Sequence, residues 1–329
     1  MKKRIIIYLV IFQIILAAIV VRHFFDKKTI SVDPLGGFVV EPTLIKGLPG
    51  FYEPIPNTNI SSDLSWMGNE YKYSITYTIN SVGFNQIQDF PTEKDKNVFR
   101  IMTIGDSFTF GANVNTKDSY PSQLQNIIEK QCKTNKKIEV LNIGVPGYDF
   151  QYSVERYILK GKKYDPDVLI WLIIPDELRR VNKLSGAKSE QFRRMLMSTQ
   201  QGRERLKSSP YTHLSLAKQA IEKELGEEKI LDLQSEQLKK LDSIFQGQIL
   251  FTAFKDNEFS KSQKEFISTF VSSHPKTYFF DGIRGLRGVF GLLPDLHPNS
   301  AGHSIIAQDI FGYMKKINWY HVIELKLLF

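Results

Sequence analysis

The strongest constraint on the fold of this chain is a regular alternation of short apolar segments with helix-forming segments after residue 97. The predicted strands are residues 98–104, 138–142, 168–174, 248–254 and 277–280, and the predicted helices are residues 120–131, 151–159, 259–272 and 300–314. Residues 168–174 (VLIWLII) are apolar without alternation, which is typical of a parallel strand covered on both faces. Strands and helices that alternate at this spacing predict an α/β fold with a central parallel sheet wrapped by helices.

The composition allows a full globular core and narrows the kinds of partner. The chain has 329 residues, of which 42% are hydrophobic and 24% charged, and its net charge is +8. Lysine and arginine are scattered along it without a nucleic-acid-binding motif, so we predict no nucleic-acid partner. An anionic lipid or an acidic polysaccharide is still a candidate partner for a basic surface. Cys132 is the single cysteine, which excludes an intrachain disulfide and a cysteine-rich zinc site.

The first 28 residues have the pattern of a membrane anchor. Residues 5–21 are apolar except for Gln13, and basic residues stand on both sides of this run. We predict that residues 5–25 contact a bilayer, with a short cytoplasmic N-terminus and the rest of the chain extracytoplasmic. The alternative is a signal peptide that is cleaved to release a secreted protein, but Ala17 and Ala18 lack the A-x-A spacing of a cleavage site.

Two further regions accompany the alternating part, which we take as a main domain over residues 97–329. Residues 29–96, the lead-in segment, are predicted to be β-rich, with residues 71–79 (YKYSITYTI) as a strand and residues 80–83 as a turn. Residues 178–245 are a polar, helix-forming insertion that contains six arginines. This insertion is either a set of solvated helix faces or a lid, because ligands of open α/β sheets bind where strands end.

A serine and a histidine stand where an acyl-transfer site needs them. Ser107 follows Gly105 at the end of the first predicted main-domain strand, where a glycine lets the backbone turn sharply and present a hydroxyl at the sheet edge. A serine hydroxyl is a weak nucleophile until an imidazole accepts its proton, and that imidazole needs a carboxylate to orient it. We therefore predict Ser107 as nucleophile, His297 as base and Asp295 as orienting carboxylate, with Asp281 as the weaker alternative to Asp295.

Three segments resemble the conserved blocks of the SGNH/GDSL hydrolase family. Residues 105–111 (GDSFTFG) resemble block I, residues 140–149 (VLNIGVPGYD) resemble block II, and residues 295–303 (DLHPNSAGH) resemble the final block. The similarity covers about residues 75–315, and the segment before block I resembles that of a bacterial subgroup with a β lead-in. It implies a flavodoxin-like three-layer sandwich, the SGNH hydrolase fold, and an oxyanion hole formed by the amides of Ser107 and Gly144.

The chain departs from the family pattern at two places. The final aspartate usually lies three residues before the histidine, where this chain has Pro294, and Asp295 lies two residues before it. Block III usually supplies an asparagine whose amide donates into the oxyanion hole, but Pro175 or Asp176 occupies that position here. A donor could come from Asp176 if it is protonated, or from Asn182.

The resemblance implies a serine esterase or acyltransferase that acts on O-acyl groups, first of all O-acetyl groups of a cell-envelope or exported polysaccharide. Lipid esters are the second substrate class. The alternative function is a catalytically impaired carbohydrate-binding or assembly protein that keeps the cleft. No cofactor or metal is predicted, because nucleophile and base are both side chains, and His303 is assigned a structural role.

Overall fold

The computed structural model describes residues 28–31, 40–42, 48, 51–132, 136–208, 212–287, 291–317 and 319. The strands are β1 (Lys28–Ser31), β2 (Val40–Pro42), β3 (Tyr52–Pro54), β4 (Thr58–Asp63), β5 (Ser74–Ile79), β6 (Val98–Ile104), β7 (Lys137–Asn142), β8 (Val168–Leu172), β9 (Gln248–Phe254) and β10 (Thr277–Ile283). The helices are α1 (Ser107–Phe110), α2 (Tyr120–Gln131), α3 (Phe150–Arg156), α4 (Asn182–Met197), α5 (Gln200–Ser208), α6 (Thr212–Ile244), α7 (Lys261–Ser273) and α8 (Ser300–Lys316).

The last five strands form one parallel sheet in the order β7-β6-β8-β9-β10. Numbered along the main domain, this is the order 2-1-3-4-5, in which successive strands are added on one side of β6 first and then, from β8 onward, on its other side, so that the strand order reverses between β6 and β8. Ligands of such sheets bind at this reversal, outside the carboxyl ends of the strands. The predicted α/β fold with a central parallel sheet is confirmed. Its topology makes the loops after β6 and β8 the expected position of a ligand site.

Helices cover both faces of the sheet, which accounts for the unbroken apolar sequence of β8. Leu169 and Trp171 pack on one face with apolar residues of α3, α6 and α7. Val168, Ile170 and Leu172 pack on the other face with residues of α2 and α8. Every residue of β8 is buried, so neither face of this strand can carry a polar side chain at low cost.

The lead-in segment packs against the loops that follow β6 rather than standing apart. Strands β1, β4 and β5 form a small sheet, in which β4 and β5 are antiparallel. Its core includes Tyr77 of β5 and Phe110 of α1, whose ring centroids lie 5.0 Å apart. The Asn85 amide donates a hydrogen bond of 2.8 Å to the carbonyl of Phe110. The predicted turn at residues 80–83 is present, with Gly83 at φ +88°.

The predicted insertion divides into two parts of different character. Helices α4, α5 and the first half of α6 form the polar addition, and Gly226 interrupts α6 with φ +76° and ψ +161°. Beyond this glycine, Leu231, Leu238 and Leu241 pack into the core of the sheet. The second half of α6 is therefore the crossover helix between β8 and β9, and the true insertion ends near residue 226.

The predicted membrane anchor lies almost entirely outside the described residues. Residues 1–27, which include the apolar run 5–21, are not among them. Within the part of the chain that the structure describes, no helix combines the length and apolarity needed to cross a bilayer.

Candidate active site

Ser107 begins α1 directly after β6, and the local sequence accounts for this sharp turn. Gly105 adopts φ +135°, and a Cβ atom there would lie 2.8 Å from Oγ1 of Thr109, so no larger residue fits. The Asp106 side chain caps α1 by accepting a hydrogen bond of 3.0 Å from the backbone N–H of Phe108. Ser107 is only 7% exposed. Its hydroxyl therefore sits at the sheet edge in a fixed position.

Asp295 and His297 occupy a tight turn before α8. The backbone N–H of Leu293 donates to the carbonyl of His297 at 2.8 Å, and that of Leu296 donates to Leu293 at 2.9 Å. Leu296 has φ +70°, which bulky residues rarely adopt. This conformation lets the backbone N–H of His297 donate to Oδ1 of Asp295 at 3.2 Å. The two-residue spacing thus depends on a left-handed residue between carboxylate and imidazole.

The three predicted side chains form one hydrogen-bonded series. Nε2 of His297 lies 2.9 Å from Oγ of Ser107, although 190 residues separate them in sequence. Nδ1 of His297 lies 2.8 Å from Oδ2 of Asp295. Burial raises the pKa of Asp295, but the hydrogen bonds from His297 outweigh it and hold that pKa below its usual value. An ionised Asp295 accepts from Nδ1–H and leaves Nε2 free to take the serine proton.

We expect Leu296→Asn to stabilise the protein by about 1 kcal/mol, because asparagine tolerates the left-handed conformation that costs leucine about 1 to 2 kcal/mol. Leu296 is 56% exposed, so little packing is lost. Urea denaturation of the two proteins measures the difference in free energy of unfolding. Leu296→Val serves as the opposite control and should destabilise the chain; equal stability of all three proteins would contradict the assignment of strain.

The predicted oxyanion hole is only partly present. The backbone N–H of Ser107 has no acceptor among the described residues and stands at the first position of α1. The N–H of Gly144 instead donates to Oδ1 of Asn142 at 3.1 Å. Asn142 also donates to the carbonyl of Phe110 at 3.2 Å, which fixes its side chain in this position. In this conformation the Gly144 amide has a neighbouring side chain as its acceptor, so its part in an oxyanion hole stays a prediction.

The two candidates for a third donor, Asp176 and Asn182, both have partners in the structure. Although burial opposes its charge, Arg180 and Lys218 lower the pKa of Asp176 to about 2, so this carboxyl has no proton to donate. The Nε of Arg180 lies 2.8 Å from Asp176, and Lys218 of α6 also contacts it. Asn182 donates its side-chain amide to the carbonyl of Gly147 at 2.8 Å. In this conformation both side chains therefore have other partners.

Arg180 connects the block III region to the nucleophile loop. Its Nη1 lies 3.1 Å from Oδ2 of Asp106 and also donates to the carbonyl of Tyr148 at 3.1 Å. Asp106 is fully buried, so this guanidinium compensates a charge that water cannot reach. Glu177 is buried nearby and accepts from Nε1 of Trp171 at 2.9 Å; burial and the charge of Asp106 raise its pKa well above its usual value. Arg180 therefore forms ion pairs with Asp106 and with Asp176.

Two other residues singled out in the sequence lie away from the hydrogen-bonded series. Asp281 is an exposed residue of β10 and lines a groove at the edge of the sheet with residues of α8. His303 of α8 is fully buried, and its Nδ1 accepts a hydrogen bond of 3.2 Å from the backbone N–H of Tyr120. His303 thus connects α8 to the start of α2, and Asp295 rather than Asp281 contacts His297.

His303 should make stability depend on pH. Burial and the neighbouring His297 lower the pKa of His303 from 6.5 to about 3. Because the unfolded chain takes up this proton near pH 6.5 and the folded chain does not, the stability that His303 contributes is complete above pH 6.5 and falls as the pH decreases toward 3. We expect a loss of about 2 kcal/mol between pH 6.5 and pH 5.

The test compares urea denaturation of the wild type and of His303→Gln at pH 6.5 and pH 5. The glutamine oxygen can still accept from Tyr120, and the subtraction removes the titration of other groups, including Asp149, whose pKa burial raises to about 6. The variant should lose less stability over this interval. An identical loss in both proteins would show that His303 does not stay neutral in the folded state.

One further residue of the site was not anticipated from the sequence. Asn113 donates its side-chain amide to Oδ2 of Asp295 at 2.6 Å, so the carboxylate has a second partner besides His297. Asn113 is buried and has φ +65°. An asparagine shortly after a glycine suggests a turn, but the turn alone gives no sign of a contact with a residue 182 positions later.

Comparison with known proteins gives structural likenesses at low similarity. No protein-family model matches the chain, and no curated protein does. It is similar to a family two carbohydrate esterase from Clostridium thermocellum in complex with cellohexaose, with a TM-score of 0.40 and 14% identity over 67% of this chain and 65% of that chain. A two-domain esterase active on acetylated mannans has a TM-score of 0.38 and 15% identity, over 67% of this chain and 50% of that chain. An acetyl xylan esterase has a TM-score of 0.35 and 15% identity, over 65% of this chain and 99% of that chain. The chain spans between half and two thirds of the length of the first two.

Proposed function

We propose that this chain is a serine esterase of the SGNH/GDSL type, with Ser107 as nucleophile, His297 as general base and Asp295 as the carboxylate that orients the imidazole. The observation that carries this proposal is the series of two hydrogen bonds, 2.9 Å from Ser107 to His297 and 2.8 Å from His297 to Asp295. The position of these side chains where the strand order reverses, between β6 and β8, supports the same conclusion, since ligands of such sheets bind there.

The reaction follows from these positions. Oγ of Ser107 attacks the ester carbonyl carbon while Nε2 of His297 takes the hydroxyl proton, and the C–O bond to the alcohol breaks as the imidazolium returns that proton to the leaving oxygen. Asp295 stabilises the imidazolium through Nδ1–H. Water, or the hydroxyl of an acceptor, then attacks the acyl-enzyme with the same base and releases Ser107.

The oxyanion hole limits the rate that this site can reach. Among the described residues, the amide of Ser107 has no acceptor, whereas the Gly144 amide donates to Asn142 and the side-chain amide of Asn182 donates to Gly147. Loss of one such donor typically costs about 100- to 1000-fold in rate. We therefore expect a slow esterase, which suits activated or short acyl groups better than amides.

The substrate class that we propose is an O-acetyl or other short acyl ester on a cell-envelope or exported polysaccharide, by analogy with the family. Residues 5–25 are proposed to hold the chain in the membrane, with the site extracytoplasmic, because their sequence is apolar and flanked by basic residues. Release into the medium after signal cleavage is the alternative. Lipid esters are the second substrate class, since the same mechanism cleaves them.

The test uses the full-length chain with O-acetylated xylan and with p-nitrophenyl esters of acetate, butyrate and octanoate. We expect acetate release from the polysaccharide, a preference for the acetate ester, and covalent labelling of Ser107 by a fluorophosphonate, located by mass spectrometry. Addition of a sugar acceptor distinguishes transfer from hydrolysis. A preference for octanoate would favour a lipid esterase, and labelling absent in both wild type and His297→Gln would contradict the mechanism.

A second candidate function is a carbohydrate-binding or assembly protein that retains the cleft without turnover. The Gly144 amide, which donates to Asn142, and the ionised Asp176 favour it, since neither offers a free donor to an oxyanion in this conformation. Equal, background-level ester hydrolysis by the wild type and by Ser107→Ala, together with binding of acetylated xylan by both, would support this candidate and reject the esterase.

A further inference from the structure

The loop that follows α1 reaches from the nucleophile to the orienting carboxylate. It contains Asn113, whose Nδ2 lies 2.6 Å from Oδ2 of Asp295. Oδ2 also accepts from Nδ1 of His297 at 2.8 Å, and Oδ1 accepts from the backbone N–H of His297 at 3.2 Å. Of these three donors to the carboxylate, Asn113 alone comes from outside the 293–297 turn.

The lead-in segment holds this loop in place. The hydroxyl of Tyr77 in β5 accepts a hydrogen bond of 2.7 Å from the backbone N–H of Asn113. On the same strand, the N–H of Thr76 donates to Oδ1 of Asn115 at 3.0 Å, and the N–H of Thr78 donates to Oγ1 of Thr116 at 2.7 Å. Two backbone amides and one buried hydroxyl of β5 thus fix the loop on which Asn113 stands.

We propose that Asn113 is a positioning residue for the catalytic carboxylate, and that strand β5 supports the active site because the hydroxyl of Tyr77 holds the backbone of Asn113. This inference rests on the proposed esterase function and adds to it a residue and a chain segment that act through Asp295. Among the described residues, no hydrogen bond joins Asn113 to Ser107 or His297, so we expect it to act through the orientation of the Asp295 carboxylate.

The physical reason is the rotational freedom of a carboxylate. The torsion about the bond from Cβ to the carboxyl carbon is broad, so one imidazole partner does not fix the plane of the carboxylate. A second donor on the same oxygen, from a backbone that is itself held, removes this freedom and keeps Oδ2 in line with Nδ1 of His297. A hydrogen bond to a charged group contributes enough to matter here, since its loss corresponds to about 10- to 100-fold in an equilibrium.

Two titratable groups that face this contact from other elements, Tyr77 and His303, are neutral in the folded protein near pH 7, which makes the effect of a new charge at position 113 easier to measure. Tyr77 faces Asp295 from β5, and burial raises its pKa above the usual value for a phenol. His303 faces His297 from α8, and burial lowers its pKa to about 3. Ser107 completes the set from α1. A new carboxyl at position 113 would therefore interact chiefly with Asp295 and His297.

The experiment compares two substitutions by their pH profiles of kcat/KM for p-nitrophenyl acetate in the full-length chain. Asn113→Gly accepts the left-handed backbone without strain but removes the amide, and we expect a loss of about 10- to 100-fold in kcat at every pH with KM unchanged. Asn113→Asp keeps the size of the side chain but cannot donate when ionised. Its loss should be large at pH 8 and should shrink toward pH 5.5, because two adjacent carboxylates hold a shared proton and the new carboxyl then donates as the amide did.

The control is Lys117→Ala, which changes the charge of the same loop by the same amount at an exposed position and should behave as wild type. A loss for Asn113→Asp that is equal at both pH values, or full activity of Asn113→Gly, would overturn the positioning role while leaving the esterase in place. A wild type no faster than Ser107→Ala would overturn both. Circular dichroism of each variant separates these results from a failure to fold.

Discussion

Ser107→Ala should lower kcat for p-nitrophenyl acetate by about 10⁴- to 10⁶-fold. The substitution removes the only hydroxyl within hydrogen-bond distance of Nε2 of His297 among the described residues, so no acyl-enzyme can form. A residual rate of about 10³ over water is expected if the Ser107 amide still polarises the carbonyl, since that amide belongs to the backbone and survives. Steady-state release of p-nitrophenol by the full-length chain measures the effect.

The matched control for this prediction is Ser268→Ala, which removes an exposed hydroxyl from α7, where it donates to the carbonyl of Glu265. This variant should keep wild-type kcat and KM. If Ser268→Ala and Ser107→Ala lose activity to the same extent, the loss reflects folding rather than chemistry. If neither loses activity, the hydrolysis arises elsewhere and Ser107 is not the nucleophile.

Asp295→Asn should lower kcat by about 10⁴-fold, with little change in KM. Oδ2 of Asp295 accepts from both Nδ1 of His297 and the amide of Asn113, and Oδ1 accepts from the backbone N–H of His297, so an asparagine here has one oxygen for two accepting positions. If its NH2 group takes the Oδ2 position, the amide hydrogens point at Nδ1 of His297 and force the proton onto Nε2, where it blocks acceptance of the serine proton. The substitution thus keeps the size and position of the side chain at residue 295 but favours the wrong tautomer of His297.

The same kinetic measurement on Asp281→Asn provides the comparison, because Asp281 was the other carboxylate that the sequence offered for this role. Asp281 lies on β10 at the sheet edge, so its substitution should leave kcat unchanged. The opposite result, a large loss for Asp281→Asn and none for Asp295→Asn, would require a different arrangement of the 293–297 turn from the one described.

The parts of the fold that depend on neighbouring residues could be predicted from the sequence. Helix α2 has the predicted bounds, because Pro121 stands at its start and Leu124 and Ile128 repeat at helical spacing on its buried face. Helix α3 begins one residue before the prediction, where Asp149 caps it. The end of the insertion was predicted too late, since the leucines after Gly226 resemble any amphipathic helix until the sheet that they cover is known.

The candidate site divides in the same way. Ser107, Asp295 and His297 stand in short motifs that indicate their chemistry. The lowered pKa of Asp176, in contrast, depends on Arg180, which is close in sequence, and also on Lys218, which α6 brings from 42 residues away. The Asn142 side chain that occupies the Gly144 amide is a local contact and could have been considered. Asn113 could not be identified, because its role depends on a hydroxyl from β5 and on a carboxylate 182 positions later in the chain.

The distance of 190 residues between Ser107 and His297 also determines when the site can exist. During synthesis the chain emerges from its N-terminus, so the nucleophile is exposed long before its base has been translated, and helix α8 must dock on α2 before the two can meet. A nascent or prematurely terminated chain that lacks the last forty residues therefore carries an inert serine. If the proposed function holds, hydrolysis therefore becomes possible only once the segment with Asp295 and His297 has been synthesised and has folded against the loop that contains Ser107.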